Sequence, residues 1–348
     1  MKSTSGLASG FPSWQRVAFD SVGRWAFIVL CLFAIGPSLL AVTATLRDSH
    51  GGTAATFLTS SSGGGALHLV MIVVACAAVG AVGARFFTLG VGAMGAGMVA
   101  AWAAWGSATI DRVIGVTSDG SALIVLSIEG FLAGLIGAGL LFVIERVTRG
   151  AQPAGTADPL ILAGAGKKFK RAMGGLVVTD RSASPFVVLG AALAASIVAA
   201  GIGTWFVAAS MSKGQVLAAS IVASILAGIA GHFAAHSTRG SVSHVVPALG
   251  VAVVALAGPL IAGMLHDAKL FQAVNSGALM PLARPIGLDW LAGILCGVPL
   301  GMAWVGLRFD GRAVANSPQE QYLLSVKQDG ESPLVGATQS AASASKKA

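Results

Sequence analysis

From Ala122 to Ile144 the chain reads ALIVLSIEGFLAGLIGAGLLFVI, 23 residues with one ionisable side chain, Glu129. A helix needs about 20 apolar residues to cross the ~30 Å hydrocarbon core of a bilayer. Apolar and polar positions do not alternate along this run, which excludes the strand of a membrane β-barrel. Stretches of this kind recur along the chain, at roughly 25–46, 66–84, 86–106, 121–145, 185–209, 214–235, 245–265 and 288–307. Charged residues make up 10% of the sequence, against about 25% in a soluble domain, so a water-soluble globule is ruled out. The 47 glycines follow no G-X-Y period, which removes collagen. The expected fold class is all-α: a polytopic transmembrane helix bundle of about eight spans.

The block 66–106 is too long for one span, since a single helix would be about 60 Å long at 1.5 Å per residue; the expected break is Gly83-Ala84-Arg85. The first span is longer than the 7–15-residue core of a signal peptide and reads as retained. Cys31, Cys76 and Cys296 all fall inside expected spans. Without pairing or metal-ligand spacing they read as small apolar fillers.

With eight spans and the N-terminus inside, 17 of the 22 lysines and arginines fall on the cytoplasmic side and 5 on the other. That bias satisfies the positive-inside rule and places both termini in the cytoplasm, in a bacterial inner (plasma) membrane. The net charge of +8 follows from it and from anionic lipid, so nucleic acid is not an expected partner.

The two halves echo one another. Phe27–Leu30 (FIVL) matches Phe186–Leu189 (FVVL), Arg85-Phe86 matches His232-Phe233, and Leu132-Ala133-Gly134 matches Leu291-Ala292-Gly293. Four spans per unit make the repeats parallel, related by an axis along the membrane normal. The expected organisation is a cytoplasmic segment 1–24, a four-helix repeat 25–145, a basic linker 146–184, a second repeat 185–307 and a flexible tail 308–348. Lys167, Lys168, Lys170 and Arg171 gather in the linker beside Leu160–Leu162 and Phe169. They suit either anionic headgroups at the cytoplasmic face or a plain solvated loop.

Lipid gives helices no hydrophobic reason to associate, so small residues must let backbones approach. Gly130 and Gly134 stand four apart in the fourth span, and Gly293, Gly297 and Gly301 form two GxxxG steps in the eighth. These are the expected packing faces, within the bundle or toward another subunit. Glu129 lies eight residues inside its span, about 12 Å along the helix. An ionised acid that deep costs roughly 2.5–3.5 kcal/mol and normally faces protein or a cavity. Steps of four from it reach Ala133 and Gly137, so it should point inward. Arg85, at the opposite end of its span, is out of reach. The expectation is a hydrogen bond from Ser220 or Ser224 in the sixth span, or a Glu129 held protonated by desolvation.

His232 and His236, one turn apart with His244 beyond, are weak metal candidates, because no Cys, Asp or Glu lies near them in sequence. Interfacial histidines are the plainer reading, and neither metal nor cofactor is expected. Asp289 reads as an N-terminal helix acid. Trp25 and Trp304 on the inner side, and Trp102, Trp105, Trp205 and Trp290 on the outer, read as an aromatic belt. No nucleophile, base and ligand set converges, so the chain is not expected to be an enzyme. Small-solute transport or channel activity, with Glu129 in the bundle interior, is the leading expectation. The alternative is a non-catalytic subunit or scaffold of a larger membrane complex, packed through glycine faces on itself or on a partner.

Overall fold

The computed structural model describes residues 13–44, 64–117, 121–151, 176–179, 184–266 and 269–309. The chain divides into two units, Met1–Met302 and Ala303–Ala348; the bundle below belongs to the first. The linker cations Lys167, Lys168, Lys170 and Arg171 lie outside the described residues, as does the tail beyond Phe309.

The first span is built of α1 (Ser13–Leu30), a π-helical turn (Cys31–Ile35) and α2 (Gly36–Ala44). There follow α3 (Gly64–Phe86), α4 (Leu89–Trp105), the short α5 (Ile110–Thr117) and α6 (Ser121–Ala151). The second half holds α7 (Pro185–Val207), α8 (Lys213–Ser237), α9 (Val245–His266), the short α10 (Leu270–Asn275) and α11 (Gly287–Phe309). Among the described residues, seven helical stretches are long and apolar enough to cross a membrane. The chain is a multi-pass helical membrane protein.

The expected third span is the exception in length. Helix α4 has 17 residues, about 26 Å at 1.5 Å per residue. It nonetheless carries the chain from one end of the bundle to the other. Its start adjoins the end of α3, where a methyl group at Gly83 would stand 2.6 Å from the Gly92 Cα. Just past its far end, the Ala108 carbonyl is reached by Lys213, the first residue of α8. We call the end holding the start of α4 the lower end and the other the upper end. The break between α3 and α4 falls later than Gly83-Ala84-Arg85: α3 stays helical to Phe86, and Thr88 caps α4 by accepting from the Val91 N–H at 3.3 Å.

Helix α11 is the axis of the bundle. Leu288, Trp290, Leu291, Ala292, Ile294, Leu295 and Val298 are completely buried, and of the candidate spans it is the most enclosed, at 83% against 11% for the first. Its glycines make that possible. A methyl group at Gly293 would stand 2.6 Å from the Ser220 carbonyl oxygen, and one at Gly297 would stand 2.5 Å from that of Ile221. Gly301 likewise lies against the Ile225 backbone. Rising residue numbers on both helices show that α8 and α11 run parallel. Helix α6 packs on α9 in the same manner but antiparallel, Gly130 against Ala255 and Gly134 against Ala252. The expected packing glycines therefore work inside the bundle.

At the lower end two short strands, β1 (Val177–Thr179) and β2 (Gly240–Val242), pair antiparallel with Val177 opposite Val242. They close over a small apolar cluster of Val188, Ala192, Ala235 and Val246.

The tryptophans divide. Trp25, Trp105, Trp205 and Trp304 are exposed, whereas Trp102, expected with them, is half-buried against the first span. Trp290 is not among them: it is fully buried, because α11 is central and even its first turn is enclosed.

Candidate functional site

Glu129 is 2% exposed and points into the bundle. Its helix turns the small face of Gly130, Ala133 and Gly134 inward, and the acid goes with it. The carboxylate lies against the first residue of α11: a methyl group at Gly287 would be 3.0 Å from both Glu129 Oε1 and Cγ. No other residue type fits there without displacing the acid.

Two residues further along α11 stands Asp289, 1% exposed. Its Oδ2 accepts from the Ile286 N–H at 3.0 Å, which closes the first turn of the helix from the third helical position, as in a capping box. The same carboxylate holds an ammonium, with Lys213 Nζ 2.8 Å from Oδ1 and 3.1 Å from Oδ2. That ammonium also donates to the Ala108 carbonyl at 3.3 Å. Capping is thus one of two roles for Asp289; the ion pair is the other. Next in sequence, the buried Trp290 indole N–H has no acceptor among the described residues.

Arg284 stitches the upper connections together. It is 6% exposed and donates to the carbonyls of Ala208, Gly277 and Leu279 at 2.7–3.0 Å. Burial pushes its guanidinium below the ordinary arginine range.

Ser220 and Ser224 are fully buried, but neither serves Glu129. A serine has one O–H to donate. Ser220 spends it on the Leu217 carbonyl at 2.8 Å and Ser224 on the Ser220 carbonyl at 2.8 Å. Both face the glycines of α11, where the backbones are too close for a side chain to reach past. The expected bond from Ser220 or Ser224 is replaced by the contact of Glu129 with Gly287.

His232 is half-buried and His236 exposed. Among the described residues no group of three or more His, Cys, Asp or Glu side chains is arranged to hold a metal ion. His244 is drawn elsewhere. At the lower end Glu145, 5% exposed, accepts from Ser243 Oγ at 2.8 Å and the His244 N–H at 2.9 Å, and its Oε1 lies 2.6 Å from His244 Nδ1. Ser243 Oγ in turn accepts from the Val245 N–H at 3.2 Å, and the Ser243 N–H donates to the Leu176 carbonyl at 2.8 Å. One carboxylate thus fastens the end of α6 to the start of α9 and, through Ser243, to the strand arriving from the linker.

Lys213, Arg284 and Glu145 carry no sequence signal of these roles. Each sits at the edge of an apolar stretch, where a charged residue ordinarily meets water. No protein-family model, curated protein or solved structure matches the chain.

Proposed function

We propose that the chain is a small-solute transporter or channel in which Glu129 receives a proton or a small cation. The observation that carries this is the burial of the Glu129 carboxylate against the backbone of α11, well inside a helix that crosses the bundle. Ionising an acid there costs roughly 2.5–3.5 kcal/mol on insertion scales, and residues of this kind mark ion and proton paths. The orientation proposed is both termini on the cytoplasmic side of a bacterial inner membrane, supported by the uneven distribution of lysine and arginine among the segments of the sequence between apolar stretches.

The repeat belongs to this reading. Arg85 and His232 are 147 apart (232 − 85), whereas a shift of 159 residues relates Phe27 to Phe186 and Leu132 to Leu291. The same shift carries Glu129 onto Leu288 and Gly137 onto Cys296. In space Glu129 meets Gly287 and Gly137 meets Ile294, so each touches the neighbourhood of its own counterpart. Both contacts support a twofold relation between α6 and α11. On this reading Glu129 lies beside the axis relating the two proposed repeats, and repeat transporters place their sites where their repeats meet.

A direct test uses the full chain reconstituted in vesicles loaded with a pH-sensitive dye. Under an imposed potassium diffusion potential, the native chain should conduct protons above the rate of empty vesicles, and Glu129→Gln should return flux to that background. Unchanged flux in Glu129→Gln dismisses the role.

One observation favours a second reading, a structural subunit of a larger complex: α11 is locked to α8 by backbone contact at three successive glycines, Gly293, Gly297 and Gly301. Absent flux together with a stoichiometric partner retained in mild detergent would put that reading in first place.

A further inference from the structure

Gly287, the residue that Glu129 touches, opens α11. The first N–H groups of a helix have no carbonyl four residues back to donate to. Here the Asp289 and Trp290 N–H groups turn to the Ile286 carbonyl at 3.0 Å and 3.2 Å, and the Ile286 N–H goes to Asp289 Oδ2. Those of Gly287 and Leu288 have no acceptor among the described residues. Trp290 stands three residues beyond Gly287, about 60° away around the helix, and long helical side chains lean back over the turn before them. That turn is where the Glu129 carboxylate arrives. Trp290 is completely buried, and its indole N–H is unpartnered among the described residues. A buried donor in that state costs about 1–3 kcal/mol and calls for an acceptor.

We infer that Trp290 and the first turn of α11 hold a water against Glu129, and that the occupant of this site is a proton delivered by that water, not a metal ion. This rests on Glu129 being the solute site. The free polar groups that α11 offers here are all N–H, with the positive end outward. An N–H has no lone pair for a cation, whereas hard metal ions gather several oxygens. A water accepts from the indole while donating to the carboxylate, and buried waters have about three such partners. When that water carries an extra proton, one of its O–H bonds breaks as a new O–H bond forms on Glu129. A neutral water is left on the indole. Asp289 and Lys213 take no part: Asp289 lies about 160° around the helix from Gly287.

The bound water can be read without any transport assay. The full chain is placed in nanodiscs with its seven tryptophans labelled with nitrogen-15. Replacing Trp290 by benzothienylalanine, which keeps the ring shape and puts sulfur in place of the N–H, identifies the Trp290 indole signal by its loss. Trp290→Phe identifies the same signal if the first substitution does not assemble. In the native chain this signal should receive magnetisation from water and should move in Glu129→Gln, and added sodium or calcium should leave it in place. No transfer from water, or no response to Glu129→Gln, overturns the bound water, and a shift caused by either metal ion overturns the proton as occupant. In vesicles the benzothienyl chain should conduct protons at least about tenfold more slowly than the native chain, a loss of about 1.4 kcal/mol. Flux at the native rate overturns the role of the indole. A native chain that shows the water signal but conducts no protons dismisses transport and leaves the bound water standing.

Discussion

The indole Nε1 of Trp102 donates to the carbonyl of Leu32 at 2.6 Å, and the reason lies in the backbone of the first span. In the π-helical turn the Gly36 N–H reaches back five residues to the Cys31 carbonyl, skipping Leu32. The next residue, Pro37, has no N–H to offer. The Leu32 carbonyl is thereby left over, in a region with no water to satisfy it, and Trp102 supplies the donor from α4. Gly36 is what lets the ring come close, since a methyl group there would collide with Trp102 Cδ1.

Trp102→Phe keeps the ring and removes the donor. Hydrogen bonds between membrane helices are worth about 0.6–2 kcal/mol, and the first span has little other burial to hold it. The variant should lose about 1–2 kcal/mol in detergent unfolding, with the first span becoming more accessible to protease. Native-like stability and protection would show that the bond does not anchor this span.

Glycines that look alike in sequence should divide sharply on substitution. Gly297→Ala drives a methyl group to 2.7 Å from the Ser224 Cβ, an overpacking that costs about 1–3 kcal/mol. Gly201→Ala meets nothing within 4 Å, and replacing a mid-helix glycine should stabilise by roughly 0.5–1 kcal/mol. Thermal unfolding in one detergent compares them. Similar shifts for the two would contradict the close packing of α8 on α11.

Glu145 is expected to matter more than its place at the end of an apolar run suggests. Glu145→Gln keeps the shape but puts an amide donor toward either Ser243 or His244, both of which already donate. A loss of about 1–3 kcal/mol follows from the stranded buried groups. Ser243→Ala should cost less, because Glu145 keeps both bonds to His244. A double-mutant cycle between Glu145 and Ser243 measures the coupling, and strict additivity would show that the clamp does not act as a unit.

The helices were legible because a bilayer imposes one requirement on every span, and runs such as Ala122–Ile144 answer it locally. The inward direction of Glu129 was legible for a similar reason, from small residues at steps of four. What escaped depends on pairs far apart in the chain. Asp289 meets Lys213 across 76 residues and Glu145 meets Ser243 across 98, and nothing in either neighbourhood names the other. Trp290 was misplaced by the same gap: a tryptophan near a span end marks the interface unless that span is surrounded by others, and the order of packing is not written in the span. Ser220 and Ser224 were read by depth alone, whereas their orientation is set by the glycines of α11.

The most enclosed helix of the bundle is made after the helices that enclose it. Until α11 is made, α4, α6 and α8 have no partner for the surfaces that later grip it, and a chain cut short before Gly287 would leave Gly97, Gly137, Ser220 and Ile221 facing an unfilled space.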